Sequence, residues 1–456
     1  MAEHREVPGG RGLNRRILAL AVPAFGALIA EPLFLLADTV IVGRLGTEPL
    51  AGVALAGAVV QTAVGLMVFL AYSTTPAVAK HLGAGRMRDA LAVGRDGLWL
   101  GAGLGLALAL LGAALGRPLL RAMGGQGEVL AQASSYLWWS LPGLPAILLV
   151  TAATGVLRGL QDTRTPLVIA MAGAAANGGA NVALVHGAGL GVAGAALGTS
   201  LTQWAMAAAY LLLLGRKCRA EGVGLGTTPR RVGALMGVGS WLMLRTVSLR
   251  AALMLTVVVA TRQGAESLAA YQLIMTIFNV MAYALDALAI AAQALVGRET
   301  GARDPRAAGA EGERARAAVR ALVRRIVAFG MVFGVATGLV VGLVLPLAAP
   351  LLTPSPEVQR LFALGMIVVA LGQPLAAWVF VLDGVLIGAG DARYLALAGV
   401  VNLVVYLPLL GALAASGAGG TAGLMLLWAA YAFGYMGARA VTLGVRARGD
   451  RWLLQA

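Results

Sequence analysis

The 456 residues carry a net charge of +15, yet charged side chains make up only 12% of them against 59% hydrophobic, with a mean hydropathy of +0.83. Soluble domains hold roughly 25% charged residues, so a water-soluble fold is excluded. The basic residues sit in short segments between apolar runs, a membrane-protein pattern rather than a nucleic-acid surface. A single cysteine, Cys218, and three scattered histidines, His4, His81 and His186, exclude a disulfide framework and a thiolate or HExxH-type metal centre.

The N-terminal stretch 1–16 is polar, and the apolar run after it is too long for a signal-peptide core and lacks a small-residue cleavage site near its end. A bilayer core of about 30 Å takes about 20 mainly apolar residues as helix. That window gives twelve runs, at 17–43, 51–79, 91–115, 130–156, 167–186, 191–214, 238–260, 268–296, 321–345, 361–387, 395–415 and 422–445. Cations gather on alternate connections: Arg5, Arg11, Arg15 and Arg16; Lys80, Arg86, Arg88 and Arg95; Arg158 and Arg164; the stretches 216–231 and 298–325; Arg393; and Arg446, Arg448 and Arg451. The other connections hold only Arg44, Arg117, Arg121, Arg262 and Arg360. This bias places both termini in the cytoplasm and supports an even helix count.

An internal repeat follows. "RLGTEPLAG" (44–52) aligns with "RQGAESLAA" (262–270), and "GVLRGLQDTR" (155–164) with "GVLIGAGDAR" (384–393). Six runs separate the members of each pair, so the halves share one topology. The expected fold is an all-α polytopic membrane protein of about twelve helices in two six-helix lobes, related by a pseudo-twofold axis along the membrane normal. The expected domains are a cytoplasmic segment 1–16, a first lobe 17–214, a cytoplasmic linker 215–237, a second lobe 238–445 and a cytoplasmic tail 446–456. Within the second lobe, 297–320 reads as a cytoplasmic linker whose alternating charges predict a polar surface helix.

The acids inside the apolar runs carry the functional information. An Asp at the centre of a membrane helix costs roughly 2.5–3.5 kcal/mol on insertion scales. Asp38 reads either as a helix-end acid paired with Arg44 or as a buried carboxylate that binds and releases a proton. Glu31 reads as a structural hydrogen-bonding acid or a contributor to ion coupling; Asp286 and Asp383 stand in the eighth and tenth runs. Asn177 and Asn181 are four residues apart on one helix face, and amides in an apolar helix need partners. Pro23 and Pro32 each remove a hydrogen bond from the first helix and favour bends there. Arg245 and Arg250 lie in the seventh run, and Arg250 is deep enough that a salt bridge to Asp286 or Asp383 is expected. Met171, Gln203, Trp204, Met206, Met254, Gln272, Met275 and Met281 are candidates for an adaptable cavity wall, although Met in a membrane helix also serves ordinary packing. Trp138 and Trp139 read as an interfacial belt, and Gln293 as a further cavity donor.

The segments "AVPAFGALIAEPLFLLADTVIVGRLGTEPLAGVALA", "LGAGRMRDA", "GVLRGLQDTRTPL" and "FVLDGVLIGAGDARY" resemble the multidrug and toxic compound extrusion (MATE) family, in particular its DinF-like branch, over about residues 18–445. The resemblance implies a two-lobed antiporter that expels organic compounds in exchange for H⁺ or Na⁺ by alternating access. It implies that Asp38 is the proton site of the first lobe, that Asn177 and Asn181 face it, and that Thr199 joins the network. Relatives often carry Asp where this chain has Asn181, which speaks against a two-carboxylate relay and for one charge exchanged per cycle. Asp383 matches a helix 10 Asp that another branch pairs with a helix 7 Glu to bind cations. This chain offers arginines in helix 7 instead, which favours H⁺ over Na⁺.

The expected function is a secondary active exporter of amphipathic, cationic organic compounds, coupled to protons or Na⁺ through Asp38, with no other cofactor. It is expected to be monomeric, to sit in the plasma (inner) membrane and to bind no nucleic acid. A flippase for a lipid-linked precursor is the alternative, though it calls for more basic residues in the cavity than Arg245 and Arg250. A membrane enzyme would need a polar loop or His/Asp/Glu cluster that the short outer connections lack.

Overall fold

The computed structural model describes residues 10–455 and, of the side chains, 12–454, so His4, Arg5 and the Arg11 side chain lie outside it. Twelve helices long and apolar enough to cross a membrane follow, α1 (Gly10–Gly43), α2 (Thr47–Gly83), α3 (Met87–Ala122), α4 (Gly127–Gly159), α5 (Arg164–Gly187), α6 (Gly191–Ala220), α7 (Pro229–Arg262), α8 (Ala265–Ala302), α9 (Gly309–Leu352), α10 (Pro356–Gly388), α11 (Ala392–Ala415) and α12 (Gly420–Arg448), with a five-residue helix at Arg451–Gln455 after them. There is no strand among the described residues.

The helices outrun the apolar runs because the flanking Ala, Arg and Glu are good helix formers and continue the backbone pattern past the hydrocarbon. The connection expected over 215–237 shrinks to residues 221–228, and α1 is already helical at Gly10. The expected surface helix over 297–320 does not exist as a separate element. Its first residues finish α8, its later ones open α9, and the break lies between Ala302 and Gly309. Pro305 stops the chain there, with the Arg306 amide bonded to Asp304 Oδ1 at 3.0 Å.

By packing, the chain divides into two compact units, Pro23–Ser240 and Trp241–Ala456 together with residues up to Val22. Within the first, a glycine row on α3 (Gly94, Gly101, Gly105, Gly112, Gly116) lets α4 come close: a Cβ at Gly101 would stand 2.8 Å from the Leu148 carbonyl oxygen. Within the second, Gly330, Gly334 and Gly338 of α9 do the same for α10, where a Cβ at Gly338 would stand 2.7 Å from the Ala370 carbonyl oxygen. Much of the glycine content is therefore spent on helix contacts inside each unit.

The repeat extends to the backbone. After α4, the Gln161 amide bonds to the Arg158 carbonyl at 2.9 Å and the Asp162 amide to Leu157 at 2.8 Å. After α10, Gly390 and Asp391 bond to Ile387 and Leu386 at 2.9 and 3.0 Å, the same helix-ending motif. Gly390 sits at φ 83°, as the motif requires; Gln161 holds the equivalent left-handed position at φ 64°.

Inside the first unit the connection after α6 is strapped to α3. Arg95 Nη1 donates to the Gly224 carbonyl (2.7 Å) and Arg95 Nη2 to Asp96 Oδ1 (2.7 Å). The Thr227 hydroxyl donates to the same Asp96 oxygen (2.6 Å), Trp99 Nε1 to the Leu225 carbonyl (2.9 Å), and Val223 packs with Leu91 and Cys218. Asp96 is the shared acceptor and is buried. Asp96→Ala therefore speeds amide hydrogen exchange over 222–227 about tenfold or more, since a charged hydrogen bond contributes about 1.5–3 kcal/mol. Unchanged exchange would mean that the carbonyl contacts alone hold the strap.

Candidate functional site

α1 runs as one helix through both Pro23 and Pro32 and brings Asp38, 4% exposed, into the first unit's interior. Asn177 and Asn181 share the face of α5 that meets it, and both are fully buried. Asn177 Nδ2 donates to Asp38 Oδ1 at 2.8 Å, and Asn181 Nδ2 donates to the same oxygen. The half-buried Thr199 on α6 has its hydroxyl 3.3 Å from Asp38 Oδ2 and 3.2 Å from Asn177 Oδ1. The four residues form one network, and Asp38 is not a helix-end acid. Val42, Val185, Val192, Ala195, Ala196 and Tyr136, from the same three helices and α4, belong to one buried apolar cluster.

The neighbouring chain is shaped to hold this geometry. Gly198 precedes Thr199, and a Cβ there would land on Asn181 Oδ1. That oxygen is buried and has no hydrogen-bond partner. A carboxylate accepting three hydrogen bonds is well served, and its protonated form has a donor to place. Thr199 lies within reach of two acceptors, so it can donate to an ionised Asp38, or accept from a neutral one and donate to Asn177 Oδ1.

The remaining acids are arranged differently. Glu31 is exposed on α1, and Asp286 is half-buried on α8. Asp383, 7% exposed on α10, is gripped by Arg245 through Nε to Oδ1 (3.1 Å) and through Nη2 to Oδ2. Arg439 of α12 approaches Asp383 Oδ1 at 3.5 Å. The expected partner Arg250 is exposed instead, because five residues along a helix turn the side chain by about 140° away from the face that carries Arg245. Arg439 escaped the sequence reading although it is an arginine inside the twelfth apolar run, a signal that was there to find.

The expected cavity residues are spread over both units. In the first, Met206 packs on Gly173, Met171 is half exposed, Gln203 has a buried amide oxygen without a partner, and Trp204 Nε1 donates to the Pro142 carbonyl at 2.9 Å. In the second, Met254 and Gln272 are exposed and Met275 Sδ lies 3.9 Å from the Tyr271 hydroxyl. Met281 and Gln293 are buried on α8. Trp138 and Trp139 are exposed, at 61% and 43%.

The profile of the MatE family matches residues 23–183 and 242–410. Among curated proteins, Protein DETOXIFICATION 44, chloroplastic, of Arabidopsis thaliana is 29% identical over 86% of this chain and 75% of its own length. DNA damage-inducible protein F of Escherichia coli (strain K12) is 31% identical over 64% of each chain. Among solved structures, MATE in the bent conformation superposes with a TM-score of 0.84 at 21% identity, covering 97% of each chain. MATE in the straight conformation gives 0.83 at 21%, covering 97% of this chain and 98% of that one.

Proposed function

Because the chain belongs to the MatE family, whose members are transporters and not enzymes, we propose that this multi-pass membrane protein is a secondary active exporter of amphipathic, cationic organic compounds, driven by inward proton flow through Asp38. The observation that carries the reading is a carboxylate only 4% exposed among helices long and apolar enough to cross a membrane, with three side-chain donors aimed at it. Such a residue is expensive to keep in a bilayer and marks an ion or proton pathway. No second carboxylate contacts Asp38 among the described residues, which favours one proton per cycle over a multi-carboxylate Na⁺ site. The plasma membrane, with both termini cytoplasmic, suits the cation bias.

Protonation makes Asp38 a donor where it was acceptor only, so the amides of Asn177 and Asn181 lose charge-assisted bonds. Asp38 lies six residues beyond Pro32, where α1 already lacks a backbone hydrogen bond. Loosening the α5 and α6 contacts then favours a bend at Pro32 that reshapes the first unit's interior. Similar folds solved in a straight and in a bent conformation are in keeping with such a step.

Purified protein in proteoliposomes, loaded with a fluorescent organic cation and given first a pH gradient and then a Na⁺ gradient, tests the proposal. Transport driven by the pH gradient supports it; a response to Na⁺ alone overturns the coupling ion, and a response to neither returns the reading to a lipid-precursor flippase.

Gly198→Ala pushes Asn181 off the Asp38 oxygen and lowers proton-driven export about tenfold, the loss of one charged hydrogen bond of about 1.5–3 kcal/mol. Gly178→Ala on α5, where an added Cβ meets nothing within 4 Å, is the control and leaves export near wild type. Equal export in both variants would show that Asn181 is dispensable to coupling.

A further inference from the structure

The C-terminal half of α12 carries two buried donors without adequate acceptors. Arg439 is 6% exposed, and among the described residues its one hydrogen-bond acceptor is the Met436 thioether sulfur at 3.8 Å. Its one carboxylate is Asp383, at 3.5 Å, and both oxygens of that group are bonded by Arg245. The guanidinium also stands over the Phe380 ring, 6.0 Å from its centre. A guanidinium presents five N–H donors, so a buried one served by a thioether and a shared carboxylate is short of both acceptors and counter-charge.

Tyr435, one turn earlier, is 1% exposed and its hydroxyl has no hydrogen-bond partner. It lies within electrostatic reach of Arg439, Arg245 and Asp383. Four residues apart, Tyr435 and Arg439 fall on one helix face, and neither bonds to the other. The segment Ala430–Tyr435 is a π-helical turn, a geometry that often marks functional sites.

We propose that Arg439 and Tyr435 form a binding site for a small anionic group in the second unit. The ligand is either a free monovalent anion such as chloride or the carboxylate of a transported compound. A water molecule would satisfy the donors but leave the guanidinium's charge unbalanced among apolar helices; an anion supplies both. A cation is repelled by the same guanidinium, so the site is opposite in sign to a cation-coupling site. Only the carboxylate source rests on the export reading; the free-anion source stands without it.

The experiment uses the purified full-length chain in detergent, with no gradient imposed. Its thermal unfolding midpoint is followed against sodium chloride, sodium benzoate and sodium HEPES at equal ionic strength, the bulky HEPES anion, which has no carboxylate, serving as the reference. A rise of several degrees with chloride over HEPES assigns a free anion, and a rise with benzoate alone assigns a substrate carboxylate. Either rise must be lost in Arg439→Gln and at least halved in Tyr435→Phe; the second variant keeps the arginine charge and guards against a misfolded first. Asp38→Asn, uncoupled on the export reading, keeps the full anion response, so failure of that reading and failure of this site are told apart. Equal midpoints of the wild type in all three salts overturn the proposal, as does an anion-dependent rise that survives in both variants.

Discussion

Asp38→Asn lowers export driven by an imposed pH gradient by more than about tenfold, a factor equivalent to about 1.4 kcal/mol, while leaving the protein folded. The amide keeps the carboxylate's shape but cannot take up or release a proton. Its oxygen can face the Asn177 and Asn181 amides and its NH2 can face Thr199, since two donors meet Oδ1 and the hydroxyl meets Oδ2. Asn at 38 thus imitates the neutral form of the acid, and the exporter is held on one side of its cycle. The neutral amide spares the cost of burying a charge, which offsets the weaker bonds from Asn177 and Asn181, so the unfolding midpoint does not fall. Proteoliposomes report the first quantity and thermal unfolding the second. A variant that exports as well as wild type would make Asp38 structural and send the search for coupling to Glu31, Asp286 or Asp383. A variant that loses both export and its unfolding midpoint would show that the network holds the fold rather than the proton.

The helices and the Asp38 network were legible because each had a local signature. Length and hydropathy marked the spans, and the four-residue spacing of Asn177 and Asn181 put two amides on one face whatever else the fold did. The resemblance then pointed that face at Asp38. The second unit's ion cluster was misread for a physical reason. In a soluble helix the apolar stripe tells which side faces in, but in a membrane helix the lipid-facing side is apolar as well, so the period fades. Depth alone chose Arg250; the buried stripe of α7, Leu242, Arg245, Thr246, Ala252 and Thr256, chooses Arg245. The expected surface helix over 297–320 failed on another ground. Charge and alternation predict a separate element, whereas Ala, Arg and Glu simply carry α8 and α9 beyond the hydrocarbon until Pro305 intervenes.

Asp383→Leu destabilises the protein far more than either arginine substitution beside it. Breaking a buried pair by deleting one partner costs about 3–5 kcal/mol, because the charge left behind has lost its compensation. Leu at 383 removes the carboxylate that both Arg245 and Arg439 contact, while Arg245→Leu leaves Arg439 to hold the acid. The thermal midpoint therefore falls most for Asp383→Leu, less for Arg245→Leu, and the double substitution recovers part of the loss instead of adding to it. A fall in the double variant equal to the sum of the singles would mean that the two side chains do not act on each other. The same series separates two roles for the second unit. If Asp383 bound the coupling ion, the gentler Asp383→Asn would remove the response to a gradient and spare the fold. With Arg245 gripping both oxygens, the acid is occupied, and Asp383→Asn instead lowers the midpoint while the remaining folded protein still answers the pH gradient. The two six-helix repeats have then diverged in their polar interiors: an acid served by neutral donors is free to exchange a proton, and an acid clamped by guanidinium is not.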